Sequence, residues 1–359
     1  MLKFLSIADP HLGIERYGND NIDTGINTRI SDTINSIKKA CEVAIKESVD
    51  FVALLGDAFD TSSPSNIKRD MLIEALSPIL GKIKIFCIIG NHDKEIKSNA
   101  LSSMKKLGEK NNFYIIDTPQ NILFKEYTLV FVPFSKTKTI SEYILNNSKI
   151  PKSILFGHFD VAGSQYSNGW TPDPEEEIVS LTLLEQSSLN GTYLGHIHKR
   201  QVLSDKKNIM YVGSLVCTKF DERTDGAKGI VLTTIDNSKI SNEFIPIPDR
   251  PFIEVDYRNI KDIKDKDIKE AVIKITGECN AKEKQNVDIE EIKKYLQPRC
   301  FKIHDIDINF IDEERDDSQN KVFTPILSTE EALVKWKEIN NLSDEFIKVG
   351  REIIDGTKI

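Results

Sequence analysis

Five short segments of this chain carry side chains that bind metal ions or move protons. They are Asp9-Pro10-His11, Gly56-Asp57-Ala58-Phe59-Asp60, Gly90-Asn91-His92-Asp93, Gly157-His158 and Gly195-His196-Ile197-His198. Each follows an apolar run, and in four of the five a glycine stands directly before the first polar residue. Glycine there permits a sharp turn and lets the backbone approach a bulky or charged group. The donors Asp9, His11, Asp57, Asn91, His158, His196 and His198 mix imidazole with oxygen. That set suits Mn, Fe, Zn or Ni, whereas Mg and Ca favour shells of oxygen alone. Seven donors exceed what one zinc ion accepts, and two cations about 3.5–4 Å apart would share them, a carboxylate such as Asp57 being suited to bridge. No thiolate joins the set, which argues against a structural zinc site. Asp-x-His alone is common by chance, and Gly-Asp at a strand end is ordinarily a turn or a helix cap. Together, and in this order, the five segments point to metal binding.

The elements that must position these donors are legible in the hydrophobic pattern. Phe4–Ala8, Phe51–Leu55, Ile83–Ile89, Ile154–Phe156 and Thr192–Leu194 are short and rich in Ile, Val, Leu and Phe, as strands buried on both faces should be. Thr28–Ser48 and Asn66–Leu80 carry apolar residues near the 3.6-residue period, which predicts helices packed on a sheet. Asn208–Leu215 and Gly229–Thr234 read as further strands. The alternation predicts a layered α/β architecture. Asp9 with His11, and His196 with His198, are spaced two apart at strand ends, so each pair points to one face. Neighbouring strands would deliver all the donors to one rim of the sheet, where ligands bind in α/β folds.

The series D-x-H, G-D-x-x-D, G-N-H-D, G-H, G-H-x-H resembles the calcineurin-like metallophosphoesterase superfamily over roughly residues 1–235. Within it the chain is most similar to the SbcD-type DNA-repair nucleases, phage relatives included. That finer match rests on Thr61-Ser62-Ser63-Pro64 after Asp60, on Gly213-Ser214 with Phe220-Asp221-Glu222 and Lys228-Gly229, and on Arg250-Pro251-Phe252. Ser/Thr phosphatases carry Arg-Gly where this chain has Thr61-Ser62, and some nucleases of the family have His at the place of Asp60. The resemblance implies a β-sandwich flanked by helices. It places Asp9, His11, Asp57 and His198 around one ion and Asp57, Asn91, His158 and His196 around the other, Mn²⁺ being the expected metal. It leaves His92 unliganded beside the scissile phosphate, with Asp60 suited to orient it. In that arrangement the ions turn water into a nucleophile near neutral pH and screen the phosphodiester's charge. His92, held by a carboxylate, would stay protonated at neutral pH and stabilise or protonate the leaving oxygen. The implied activity is a hydrolase: a 3′→5′ exonuclease on duplex DNA and an endonuclease on single strands, serving DNA repair and recombination with an SbcC-like coiled-coil ATPase, with a homodimer as a further expectation. A small-molecule or protein phosphoesterase on the same two-metal domain is the alternative. A non-catalytic scaffold would show a missing ligand or a replaced His92, and neither is seen.

Composition bounds the rest. The chain has 359 residues, 48 Lys+Arg and 56 Asp+Glu, for a net charge of -8, which argues against nucleic-acid binding driven by bulk charge. Bound divalent ions would invert the local sign without entering that count. Five scattered cysteines without a CxxC pair fit a reducing cytoplasm, and no apolar stretch is long enough to span a membrane. Prolines at 246, 248 and 251 mark a boundary. The expected organisation is therefore a catalytic domain over 1–248 and a smaller α+β capping, DNA-binding domain over 249–312. A linker with C-terminal helices over 313–359 follows, its amphipathic pair bearing Leu333, Trp336, Ile339, Phe346 and Ile347 for docking an ATPase. His304 reads as structural. Lys38, Lys39, Lys136 and Lys138 could meet phosphates only in the sense that any exposed cation could.

Overall fold

The computed structural model describes residues 1–95, 98–172, 178–237, 239–280, 287–311 and 337. The chain divides into two compact units, Met1–Glu278 with Val287–Asn309, and Cys279–Asn286 with Phe310–Ile359; the first contains both large sheets and the ligand-type residues. The linker expected beyond Ile311 and the C-terminal helices lie outside the described residues but for Lys337.

Strands are numbered along the chain. The first sheet has the order β12-β11-β1-β2-β3-β4, with β1 Leu2–Ile7, β2 Phe51–Leu55, β3 Lys84–Ile88, β4 Phe113–Ile116, β11 Gly229–Asp236 and β12 Lys239–Pro246. β1 to β4 run parallel, and β11 joins β1 antiparallel. The second sheet has the order β5-β6-β7-β8-β10-β9, with β5 Gln120–Phe124, β6 Tyr127–Val132, β7 Ser153–His158, β8 Leu189–Gly195, β9 Gln201–Ser204 and β10 Ile209–Tyr211. A third, three-stranded sheet holds β13 Phe252–Asp256, β14 Val272–Asn280 and β15 Lys302–Ile311.

The two large sheets pack face to face, and their inner faces meet in an aromatic layer. Phe4 stacks on Phe51 at 5.0 Å between centroids and meets Phe156 and Tyr193 edge-on at 5.3 and 5.1 Å. Each sheet's outer face is covered by helices. Leu5, Val52, Leu54 and Ile85 pack against Ile37, Cys41 and Ala44 of helix Thr28–Lys46 and Leu72 and Ala75 of helix Asn66–Leu76. Val130, Leu155 and Leu194 pack against Ile140 and Ile144 of helix Thr137–Asn147 and Leu184 of helix Leu181–Gln186. This is a layered α/β fold, a β-sandwich flanked by helices. Central strands buried on both faces need apolar residues throughout, and β2 is buried at every position. Among the described residues no helix is long and apolar enough to cross a membrane.

Five strands lie outside the sequence expectations: β4, β5, β6, β9 and β12. Four of these are the edges of the two large sheets. An edge strand has one partner and a more exposed surface, so its residues need not be apolar; β12 alternates between exposed and half-buried positions along most of its length. The expected strand over 208–215 is shorter, Ile209–Tyr211, because Val212–Leu215 leaves the ladder toward the rim.

Candidate metal centre

All the segments that carry donors meet at the ends of β1, β2, β3, β7 and β8. The loops continue to pair after the strands stop: His11 and Leu12 donate backbone N–H groups to Asp57 and Ala58 carbonyls at 3.0 Å, and Leu215 donates to Ala8 at 2.9 Å. Four of the expected ligands leave their strands in the left-handed region, Asp9 at φ 48°, His11 at 45°, Asp57 at 48° and His196 at 90°. Such conformations cost roughly 1–3 kcal/mol each and persist where the surroundings enforce them. Packing at the glycines is as tight as the sequence predicts. A Cβ on Gly90 would lie 2.1 Å from Asp57 Oδ1, and one on Gly56 would lie 2.2 Å from His158 Nδ1.

The imidazoles are oriented by partners that leave one nitrogen of each aimed inward. His158 Nδ1 is 2.7 Å from the Leu55 carbonyl, so Nδ1–H donates there and Nε2 faces Asn91 Oδ1 at 2.9 Å and Asp57 Oδ2 at 3.4 Å. His196 Nε2–H donates to Asp160 Oδ2 at 2.9 Å, and Nδ1 faces the same Asn91 oxygen at 2.9 Å. His198 Nδ1–H donates to Glu222 Oε1 at 2.8 Å, and Nε2 lies 3.0 Å from His11 Nε2. His11 Nε2 also lies 3.6 Å from Asp57 Oδ2. Two lone pairs about 3 Å apart repel, so a proton or a cation must lie between them. Two places of this kind, the Asn91 oxygen shared by His158 and His196 and the His11–His198 pair, together with the carboxylates of Asp9 and Asp57, make the donor set fit a pair of divalent ions. Donor atoms of Asp9, His11 and His198 lie within 4.8 Å of one another, as do those of Asp9, Asp57 and His158.

Electrostatics follow the same pairing. Burial pushes the Asp57 carboxyl up, but His158, then His11 and His92, outweigh it and hold the acid below its ordinary range. Burial pushes His158 down, yet Asp57 beside it prevails and raises its pKa to about 9. Burial lowers His11. His198 is raised, Glu222 outweighing burial.

The structure puts His92 and Asp60 at this rim in a particular way. His92 donates its backbone N–H to Asp57 Oδ1 at 2.8 Å, and its Nδ1 lies 3.1 Å from the Asp60 backbone carbonyl. The Asp60 carboxylate stands 3.4 Å from His11 Nδ1 and within 4.8 Å of a His92 ring nitrogen, so the group at hydrogen-bond distance of His92 is the Asp60 carbonyl. His304 packs its ring on Tyr17 and Phe220 at 4.4 and 5.9 Å.

Three carboxylates carry the site without having been assigned a role from sequence. Asp160 and Glu222 orient His196 and His198. Asp93, fully buried, accepts N–H groups from Ala58, Phe59 and Gly90 at 3.1, 3.0 and 3.1 Å, so one side chain ties the loop after β2 to the loop after β3. Burial and the Asp57 charge raise it to about 6. The spacing His158-x-Asp160 and the fourth residue of Gly-Asn-His-Asp were the available signals; Glu222 has none local to His198. Glu222, with His11, Asp57, Asn91, His92, His196 and His198, lines an open cleft of about 420 Å³ that also reaches Arg16, Tyr166, Asn168 and Lys219.

The family model described as calcineurin-like phosphoesterase matches residues 2–200. The uncharacterized metallophosphoesterase YhaO of Bacillus subtilis is 27% identical over 255 residues, covering 68% of this chain and 60% of its own length. The SbcD component of the SbcCD nuclease of Staphylococcus epidermidis is 29% identical over 247 residues, covering 60% of this chain and 64% of its own. DNA double-strand break repair protein Mre11 of Saccharolobus solfataricus is 27% identical over 276 residues, covering 73% and 68%. The matched region spans less than two thirds of the first two of these relatives.

Proposed function

Because this chain belongs to the calcineurin-like phosphoesterase family, we propose that it is a DNA nuclease that hydrolyses phosphodiester bonds at two divalent ions, Mn²⁺ being the metal that the resemblance to SbcD-type nucleases implies among those its mixed donor set admits. The observation that carries the reading is the convergence of Asp9, His11, Asp57, Asn91, His158, His196 and His198, three of the imidazoles committed through one nitrogen to Leu55, Asp160 and Glu222. In this reading Asp9, His11, Asp57 and His198 hold one ion, and Asp57, Asn91, His158 and His196 the other. When bound, the ions supply a nucleophile from water near neutral pH and neutralise the phosphodiester's charge. His92, set by the Asp60 carbonyl and the Asp57 carboxylate, gives a proton to the departing oxygen. Asp60 acts on His11.

The names of two relatives, a component of a nuclease and a double-strand break repair protein, support DNA as substrate. On the resemblance to SbcD-type nucleases we further assign 3′→5′ exonuclease and single-strand endonuclease activity, a cytoplasmic role in repair and recombination, and an SbcC-like coiled-coil ATPase as partner. Residues 249–312 would cap the cleft, and the segment 313–359 would dock the ATPase. Digestion of a duplex oligonucleotide, set beside turnover of bis(p-nitrophenyl) phosphate in Mn²⁺, tests the substrate. An intact oligonucleotide alongside a hydrolysed small ester would make the protein a small-ester phosphoesterase. Undiminished co-purification of the ATPase after deletion of residues 321–359 would remove the docking role.

A further inference from the structure

The cleft that holds the metal donors is also lined by two cations, Arg16 and Lys219, both exposed. Neither forms an ion pair among the described residues, although nearby cations are committed. Lys228 pairs with Glu222 at 2.8 Å, Arg250 with Asp32 at 2.8 Å, and Arg223 with Glu254; Lys302 donates to the Gly18 carbonyl. Asp221 lines the same cleft and pairs with neither.

Exposed cations are ordinary, but these two are anchored. Arg16 immediately precedes Tyr17, and its guanidinium sits 5.0 Å from that ring. Lys219 immediately precedes Phe220, which opens the 3₁₀ turn Phe220–Thr224. The Tyr17 and Phe220 rings stand 6.4 Å apart, and both pack on Phe252, at 5.1 and 5.5 Å. His304 covers the pair. After burial, the charge of Arg16 is what most lowers His304. An aromatic cluster thus delivers two uncommitted positive charges to one wall of the cleft, from the loop after β1 and from the turn before β11.

We infer that Arg16 and Lys219 form a clamp for the phosphates that flank the scissile one, so that the cleft takes a nucleic-acid strand rather than an isolated phosphate ester. The inference rests on the nuclease reading above and deepens it. A phosphomonoester has its charge at the ions alone and nothing to offer these side chains. A strand carries a further charge on each side of the cut bond, and each contact releases condensed counterions. The chain's net charge of -8 makes the placement telling, since the overall field would repel a polyanion and only a local patch can seat it.

The test is the salt dependence of binding. A fluorescein-labelled single-stranded oligonucleotide is titrated with full-length protein by anisotropy, with Ca²⁺ added, across a range of NaCl concentrations. For each lost phosphate contact the slope of log K against log[salt] should flatten by about 0.7. Arg16→Gln and Lys219→Gln should each show this, the double variant should show about twice as much, and Arg16→Lys should restore the slope. Lys46→Gln, an exposed cation on the last turn of helix Thr28–Lys46, serves as the control and should leave the slope alone. In Mn²⁺ the same variants should raise KM for the oligonucleotide about tenfold with kcat nearly unchanged, the signature of lost ground-state binding. Cleavage of DNA with an unchanged slope in the double variant would overturn the clamp and leave the nuclease standing. A slope that flattens as expected with DNA left intact would overturn the nuclease and leave the clamp. No binding of the oligonucleotide at all would overturn both.

Discussion

Glu222 Oε1 lies 2.8 Å from His198 Nδ1 while its other oxygen lies 2.8 Å from Lys228 Nζ, so one buried carboxylate fixes a candidate metal-binding imidazole and holds a buried ammonium at once. Lys228 in turn reaches Asp225 Oδ2 at 3.2 Å and donates to the His198 carbonyl at 3.1 Å. The carboxylate sets the tautomer of His198 and makes its free nitrogen more basic, and such partners typically change metal affinity by about 10–100-fold. Glu222→Gln keeps the shape and loses the charge. Manganese titration followed by the EPR signal of the free ion should show affinity weaker by about 10–100-fold at one of two sites. Affinity equal to the unmodified protein would mean the carboxylate only packs.

On the proposed reading, in which the imidazole side chain moves a proton and holds no ion, His92→Ala should keep both ions and lose about 10²–10⁴ in rate. The backbone N–H of residue 92, which meets Asp57 at 2.8 Å, survives the substitution. Metal content by elemental analysis, with kcat on a chromogenic diester, checks this. Loss of metal in parallel with rate would make His92 a ligand.

Gly90→Ala tests the close approach of the loop after β3 to the one after β2. The added methyl would fall 2.1 Å from Asp57 Oδ1 and 2.4 Å from its backbone nitrogen, positions that rotation of a flexible side chain cannot relieve. We expect Asp57 to be displaced, metal uptake to fall below two ions per chain, and melting to occur at lower temperature. Full uptake with normal activity would show the loops to be more pliable than the packing implies.

Metal binding should be strongly pH-dependent in a direction His158 sets. In chelator-treated protein its pKa of about 9 keeps the ring protonated at pH 7, and a divalent ion must displace that proton. Affinity should therefore rise by up to about tenfold per pH unit and level off near pH 9. The stability sign is opposite. The folded pKa of about 9 lies above the ordinary 6.5, so the stabilisation is complete below the ordinary value and disappears as pH rises through the folded one. Melting temperatures across this range should fall for chelator-treated protein and much less for the manganese-loaded form. Affinity that is flat with pH would place the proton elsewhere.

Much of this site was legible in the order of residues alone, because strand burial and residue type are local properties. The runs ending at Ile7, Leu55, Ile88, His158 and Gly195 are apolar by the requirement of two-sided burial, and the donors follow within a few residues. The glycines at 56 and 90 mark true close approaches. The four edge strands were not legible in the same way, since exposure on one side removes the signature that makes a central strand stand out. β6 is different: Tyr127–Val132 is buried at five of six positions and is apolar enough to have been expected, lying one short turn beyond edge strand β5.

What the chain's residues settled alone was the chemistry on offer: nitrogen and oxygen donors of seven side chains, presented at strand ends in a fixed order. Only the tertiary structure decided which nitrogen of each ring faces inward, since that depends on Leu55, Asp160 and Glu222, whose proximity no local pattern encodes. It likewise turned the Asp60 carboxylate toward His11 and left its carbonyl for His92. It also brought Arg16 and Lys219 to one cleft through two aromatic rings far apart in sequence. Periodicity and spacing specify what a segment can bury, whereas a hydrogen bond between distant segments depends on how whole layers pack.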